Sequence, residues 1–524
     1  MSTTYIGALD QGTSGTRFVV FDERGDPTSE AFTSHRPTTR EGDRVEYDPL
    51  KLWGCATDAI RRGLVQADVD SASALRALGV SSQRQTVLLW EAESGTPVTN
   101  AISWRDRRTT EQITELTDEE RRLIRERTGL EPDPYFAAPN AKWLLDHGRG
   151  RCGDEGDHHE EGSSRLHRGS DDQSGLRERA EAGEVLLGTV DSWLLYNLTG
   201  THATDVTNAA QTMLFDIHEL QWDDDLLDLF DVPRAALPAV HASSDPSGFG
   251  TTDPNGILNA AVPVTGVMGD QQAALLGRVA CGEGDAKVTY GTGNFFLQNT
   301  GSDPVAADGN LLTTVWFQRA GAEPRYGLEG PVFATGAVLE WLRTIGLLED
   351  AGGLAELDST ESPGDLQLVP GFGGLGAPHW VPDLRAGVFG LRRETDPDDV
   401  LRAAVEAIAF GTRAVLEAAE AATGIEQRPL LVDGGAIQDD EFAQWQADLL
   451  DRRLVRSNVT QTTALGAGFA AGLATGVWDS LDDLAPCQPT GRAFTPSGDA
   501  SAAETAYQNW GDVVDAVVRC HGTR

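Results

Sequence analysis

The chain has 524 residues, 40% hydrophobic and 23% charged, with 81 acids against 42 bases and a net charge of −39. That length is more than one core serves and calls for two or more domains, while the acid excess excludes electrostatic binding of a nucleic-acid backbone. No stretch reaches the ~20 apolar residues of a membrane-spanning helix, so no membrane insertion is expected.

Lysine occurs only at Lys51, Lys142 and Lys287, and the acids are spread along the whole chain. Such a molecule repels itself in dilute buffer, but at molar salt the screening length falls to roughly 3 Å. We read this as adaptation to a salt-rich cytoplasm. Five cysteines, Cys55, Cys152, Cys281, Cys487 and Cys520, show no CxxC spacing and are odd in number, as expected of reduced thiols. No basic, apolar leader precedes Tyr5.

In chain order, "YIGALD" and "RFVVFD" read as paired strands around the turn of 11–16, and 49–67 as an amphipathic helix. "LRALGVSS" reads as the lead into a strand at "TVLLWE". Residues 149–175 hold few large apolar side chains and read as a mobile acidic insertion. Cys152, His158, His159 and His167 lie in it at irregular spacing, which favours a solvated loop over a metal site. "AVPVTGVMGD" is a strand run ending in an acid, with a helix following at "QQAALLG". "DAKVTYGTGNFFLQNT" repeats the opening pattern of strand, Gly/Thr turn and strand. A helix over 397–423 is well marked, with Asp396 as cap, Pro397 in the first turn and Gly424 past the end. "RPLLVDGGAIQDDEFAQWQADLL" reads as strand, Gly-Gly and helix, and "ALGAGFAAGLATGVW" as a buried helix. Strands alternating with helices imply α/β layers.

Turns of Gly, Ser and Thr suit phosphate, because exposed N–H groups and hydroxyls converge on its oxygens. Three of them, at 11–16, 291–293 and 434–435, each follow a strand run. Asp10 beside the first turn matches the oxygen preference of Mg²⁺. Asp270, at the end of a strand, is the candidate base for an accepting hydroxyl. The plain alternative for either aspartate is a turn or helix cap.

Several ordered stretches then carry a resemblance: "ALDQGTSGTRFVVFD", "NAISWRDRRT", "DPYFAAPNAKWLLDH", "TDVTNAAQTMLFDI", "GDQQAALLG", "TYGTGNFF", "GFGGLGAPHW" and "LVDGGA", with "AGVFGLRRETDPDDVLRAAVE" fitting a second signature. From about residue 5 to 480 the chain resembles the FGGY carbohydrate kinases. The resemblance implies an α/β protein of two duplicated actin-like ATPase (ribonuclease H-like) domains flanking a catalytic cleft. Residues 4–278 would hold the polyol site and first phosphate loop, and 279–524 the nucleotide site. It implies phosphoryl transfer from ATP, assisted by Mg²⁺, to glycerol or, as the alternative, to dihydroxyacetone, erythritol or xylulose. It also implies a homo-oligomer, dimer or tetramer. Position by position, it makes Asp270 the base and places Arg84, Gln85, Tyr135 and Gln271 on the polyol, with Trp104 and Phe295 as apolar walls. Thr13, Ser14 and Arg17 match the first phosphate loop and Thr292 and Gly293 the second. Gly336, Glu340, Gly435 and Asp439 lie on the nucleotide side, and Asp10 with Asp270 would hold Mg²⁺ largely through water. A non-catalytic nucleotide-binding regulator is disfavoured, since it need not keep base and polyol residues together.

Four departures stand out. Gln85 replaces the family's usual glutamate and brings a donor NH₂ beside its acceptor oxygen. A substrate carbonyl would match that donor, which is what opens the dihydroxyacetone alternative. Glu340 and Asp439 replace amides near the nucleotide base, and Asn140 replaces a lysine of the first signature. The segment 249–262 holds no arginine, so the inhibition by fructose 1,6-bisphosphate seen in some family members is expected to be absent.

Overall fold

The computed structural model describes residues 4–67, 72–148, 175–306, 310–348, 366–425 and 428–521. The insertion with Cys152, His158, His159 and His167 therefore lies, but for Gly175, outside the described residues.

The first sheet has the strand order Val264–Gly269, Leu75–Ser82, Tyr5–Gln11, Gly15–Asp22 and Pro27–Ser34. Tyr5–Gln11 pairs antiparallel with Gly15–Asp22 and parallel with Leu75–Ser82. Its side chains alternate between two buried faces. Leu9, Phe18, Val20 and Leu78 pack with Ala56 and Ile60 of the helix Pro49–Gln66. Ile6, Ala8, Val19 and Phe21 pack on the other face with the helix Thr462–Ala474. Burial on both faces is why "YIGALD" and "RFVVFD" read as nearly continuous apolar runs.

A second sheet runs Leu312–Phe317, Arg325–Val332, Asn294–Gly301, Ala286–Tyr290, Leu430–Asp433, Leu454–Ser457 and Gly491–Phe494. Ala286–Tyr290 pairs antiparallel with Asn294–Gly301 and parallel with Leu430–Asp433, repeating the first sheet's hairpin with a parallel neighbour. Helix Pro397–Thr423 takes the anticipated bounds, with Asp396 accepting from the Asp398 and Asp399 N–H groups at 3.0 Å and Gly424 left-handed at φ 66°.

Helix Thr462–Ala474 lies against the helix Asp270–Gly277 and against strands of the first sheet. Its small residues are required by that approach. A Cβ on Gly466 would stand 1.8 Å from the Ala273 carbonyl oxygen, and one on Gly277 1.9 Å from that of Thr462.

One reading of the chain is corrected. "LRALGVSS" is itself a central strand, Leu75–Ser82, and "VLLWE" belongs to a separate five-stranded sheet with Thr39–Glu41, Arg44–Tyr47, Ala101–Ile102 and Val185–Thr189. The break between them comes at Gln83–Thr86. There the Thr86 N–H donates to the Arg84 carbonyl at 2.7 Å, and Gln85 adopts φ 64°. A three-residue turn with a left-handed glutamine is strained, and it sends the chain from one sheet to the other at the edge of the cleft.

Candidate active site

The ends of these strands converge on a cavity of about 200 Å³, lined by Thr13, Ser14, Arg84 and Trp104 together with Asp270, Thr292 and Phe295. Gln85, Tyr135 and Gln271 line it too, as do Thr289 and Gly291. The residues assigned to the polyol are thus brought together with both hairpin turns.

Each turn is braced. The Gly12 N–H donates to the Gly15 carbonyl at 2.9 Å, the Tyr47 hydroxyl to the Thr13 carbonyl at 2.8 Å, and Trp104 Nε1 to Thr13 Oγ1 at 3.1 Å. In the second turn, the Gly291 N–H donates to Gly293 and the Gly336 N–H to Thr292, at 2.9 and 2.8 Å. A Cβ on Gly336 would stand 2.7 Å from Thr292 Cα, so only glycine permits that approach. Trp104 meets Tyr135 and Phe295 edge-on, both at 5.8 Å between centroids, forming an apolar wall.

Asp270 begins its helix at the mouth of the cavity, and its own Oδ1 accepts from the Gln271 N–H at 2.8 Å. Arg84 Nε lies 3.1 Å from the same oxygen. Burial raises Asp270 above the usual carboxylate range, against the pull of Arg84 and Lys287. The guanidinium of Arg84 is gripped from behind by Glu329, at 2.6 Å to each carboxylate oxygen. Glu329 is fully buried in the second sheet, so this pair joins the two halves beneath the cavity. Burial pulls the Arg84 guanidinium down, but Glu329 outweighs it and holds the group charged.

Burial also lifts Asp10 to about 7, with Arg17 opposing and the charge of Asp270 adding. Two carboxylates whose charges oppose each other in a buried cleft offer hard oxygen donors. That chemistry fits Mg²⁺, which binds one or two carboxylates and keeps several waters. Among the described residues no group of three or more His, Cys, Asp or Glu side chains forms a metal cluster.

A neighbouring cavity of about 380 Å³ takes Thr292, Gly293 and Glu340 together with Arg105 and Arg107. Glu340 pairs across it with Arg40 at 3.1 Å. Arg17 is held by Glu30 at 2.9 Å, one strand away from the cavity lining. Asp439 caps the helix Asp440–Leu450, accepting from the Glu441 and Phe442 N–H groups at 3.0 and 2.8 Å. It lines neither cavity, and nor does Gly435, which lies two residues past the strand Leu430–Asp433 and is exposed with open space around it. Asn140 is buried, its Nδ2 donating to the carbonyls of Pro134 and Phe136 at 3.2 and 3.3 Å.

The sequence reading missed Glu329, Gln211, Lys287 and Thr289. Lys287 Nζ, fully buried, donates to Gln271 Oε1 at 2.5 Å and to Thr289. Thr289 in turn donates to Asp433 at 2.5 Å. A signal was available for two of these. "YGLEGPV" and "AKVTY" each set one charged residue amid largely apolar or small neighbours of a strand, which a buried charge with a partner explains.

Comparisons with known proteins agree with this geometry. The N-terminal domain of the FGGY family of carbohydrate kinases matches residues 5–154 and 163–277, and its C-terminal domain residues 286–475. The chain is 46% identical to the glycerol kinase of Halobacterium salinarum over 517 residues, covering 98% of each protein. It is 42% identical to that of Klebsiella pneumoniae over 512 residues, covering 97% of this chain and 96% of the relative. The crystal structure of Plasmodium falciparum glycerol kinase with ADP superposes with a TM-score of 0.82 at 28% identity, covering 98% of each chain.

Proposed function

The chain belongs to the FGGY family of carbohydrate kinases and is a phosphotransferase acting on an alcohol group, and from that premise we propose that it converts glycerol and ATP to sn-glycerol 3-phosphate and ADP. The observation that carries this reading is the single cavity in which Asp270, Arg84, Gln85 and Tyr135 stand against an aromatic wall and face both hairpin turns. Such a pocket fits a molecule about the size of a triol, with one hydroxyl directed at a phosphoryl group.

In this reading Asp270 takes the proton of the accepting hydroxyl as its oxygen attacks the γ-phosphorus. The bond to the β,γ-bridging oxygen breaks and ADP leaves with that electron pair. Arg84 holds Asp270 in place and donates to the polyol, while Trp104 and Phe295 exclude water from the hydrocarbon side. Thr13, Ser14, Thr292 and Gly293 hold phosphate oxygens, and Gly336 and Gly435 leave room for the nucleotide. Asp10 and Asp270 would hold Mg²⁺, which neutralises the negative charge of the phosphates when bound. The acid excess and the three lysines support a working environment of molar salt in the cytoplasm.

The test is phosphoryl transfer by the purified protein in molar KCl with ATP and Mg²⁺. Glycerol is expected to be phosphorylated. Asp270→Asn is expected to lower kcat by about 10³, within the range general bases supply. Full activity in that variant would overturn the mechanism, and no transfer to glycerol by the parent protein would overturn the function.

A further inference from the structure

Two amides face the acceptor pocket, Gln85 and Gln271, and buried charges of opposite sign stand behind them. Both oxygens of Glu329 receive Arg84, so this carboxylate is ionised and can only accept. Its Oε2 also lies 3.2 Å from Gln211 Nε2, which reaches Thr314 Oγ1 at 3.0 Å as well. A carboxamide has one donating and one accepting end. Were Gln211 turned over, its oxygen would face the Glu329 carboxylate. Gln211 therefore presents its Oε1 to Gln85, whose Nε2 donates to it at 2.6 Å.

That bond uses one of the two N–H groups of Gln85 and turns its nitrogen toward Gln211. The end of the Gln85 amide turned away from Gln211, toward the cavity that Gln85 lines, is its oxygen. Opposite it, Lys287 can only donate and holds Gln271 Oε1 at 2.5 Å, which leaves the Gln271 NH₂ for the cavity. The sequence placed at position 85 a donor suited to a carbonyl; the tertiary network turns that donor inward.

Resting on the reading of the pocket as a polyol site, we propose that Gln211 is its specificity-determining positioning residue. It relays the polarity of Glu329 to Gln85, so that position 85 accepts a hydrogen bond from a substrate hydroxyl and refuses a carbonyl. A site built to pair with a hydroxyl discriminates against an analogue lacking one, because its own polar atom is then left unpaired.

The experiment compares kcat and KM for glycerol and dihydroxyacetone in molar KCl across the parent protein, Gln211→Met and Gln85→Glu, with unfolding midpoints recorded for each. The parent is expected to favour glycerol in kcat/KM by tenfold or more. Gln211→Met frees Gln85 to turn over, so that preference should shrink at least fivefold, through a higher KM for glycerol rather than a lower kcat. Gln85→Glu restores the residue usual in the family, yet here it sets an acceptor against Gln211 Oε1. It should lose at least tenfold in kcat/KM for glycerol. An unchanged preference in Gln211→Met with both substrates slowed alike would make Gln211 merely structural and overturn the proposal. Should Gln211→Met fail to fold, Gln85→Glu decides alone: activity equal to the parent's would overturn the relay. A parent that favours dihydroxyacetone overturns the relay but not the kinase, and one that phosphorylates no polyol overturns both.

Discussion

The two large sheets share one arrangement, an antiparallel hairpin followed by parallel strands, and differ in what stands at the ends of those strands. In the first, Leu75–Ser82 and Val264–Gly269 run out into Arg84, Gln85 and Asp270. In the second, Leu430–Asp433 runs out into Gly434 and Gly435. Gly434 has φ 103°, and a Cβ there would stand 2.3 Å from the Tyr290 carbonyl oxygen. The backbone thus supplies a small-residue turn in each half, while side chains decide the division of labour. Charged and amide groups crowd the strand ends of one half, and absent side chains clear the strand end of the other. Even the buried carboxylates differ. Asp433 is satisfied by the hydroxyls of Thr289 and Thr462 at 2.5 and 3.0 Å, whereas Asp270 faces the cavity with its pKa raised.

Four measurements would break or sharpen this contrast. The largest effect is expected for Glu329→Gln, which takes from the buried Arg84 its two-oxygen ionic partner and leaves it Asp270 alone. Removing one member of a buried pair costs about 3–5 kcal/mol, read by denaturant unfolding in molar KCl. A smaller loss would mean that the two halves are not joined through this pair. Gly435→Val meets open space and should leave the unfolding midpoint in place. It should raise KM for ATP about tenfold, equivalent to ~1.4 kcal/mol, with KM for glycerol unchanged. An effect on glycerol instead would erase the proposed division between the halves.

The acid side of the stability curve probes the first half. His202 packs edge-on to Trp90 at 5.3 Å and donates from Nε2 to the Leu187 carbonyl at 3.1 Å; burial holds it down to about 4. The unfolded chain takes up its proton near pH 6.5 and the folded one only near 4. Stability is therefore full above 6.5 and falls as the pH is lowered through that window. His202→Gln should flatten the fall in unfolding midpoint between pH 6.5 and 4.5, and an unaltered slope would assign it to other groups. The smallest effect is expected at the Arg40–Glu340 pair at the cavity of about 380 Å³. Both side chains are more than half exposed, so Glu340→Ala should change stability by less than about 1 kcal/mol. In molar KCl it should change nothing measurable.

Much of both halves was legible from residue types alone, because a short motif implies a local geometry. Asp10 and Asp270 each close a strand run, and helix 397–423 carries its own cap and stop signals. Arg84, Trp104 and Tyr135 needed the family resemblance, since a single arginine, tryptophan or tyrosine in an apolar setting reads as structure. Glu329 and Gln211 lie 245 and 126 residues from Arg84 and Gln85 in the chain, and no local pattern connects such positions.

By itself the sequence determined the strands and helices, the small-residue turns and the charge suited to salt, because these depend on periodicity, local backbone preference and composition. Only the tertiary structure decided that "LRALGVSS" and "VLLWE" part into two sheets at Gln85, that Asp439 is a helix cap, and which end of the Gln85 amide meets Gln211. The physical reason is that an amide carries both a donor and an acceptor. Its polarity is set by the charged groups that fold against it, here Glu329 through Gln211, and not by its neighbours along the chain.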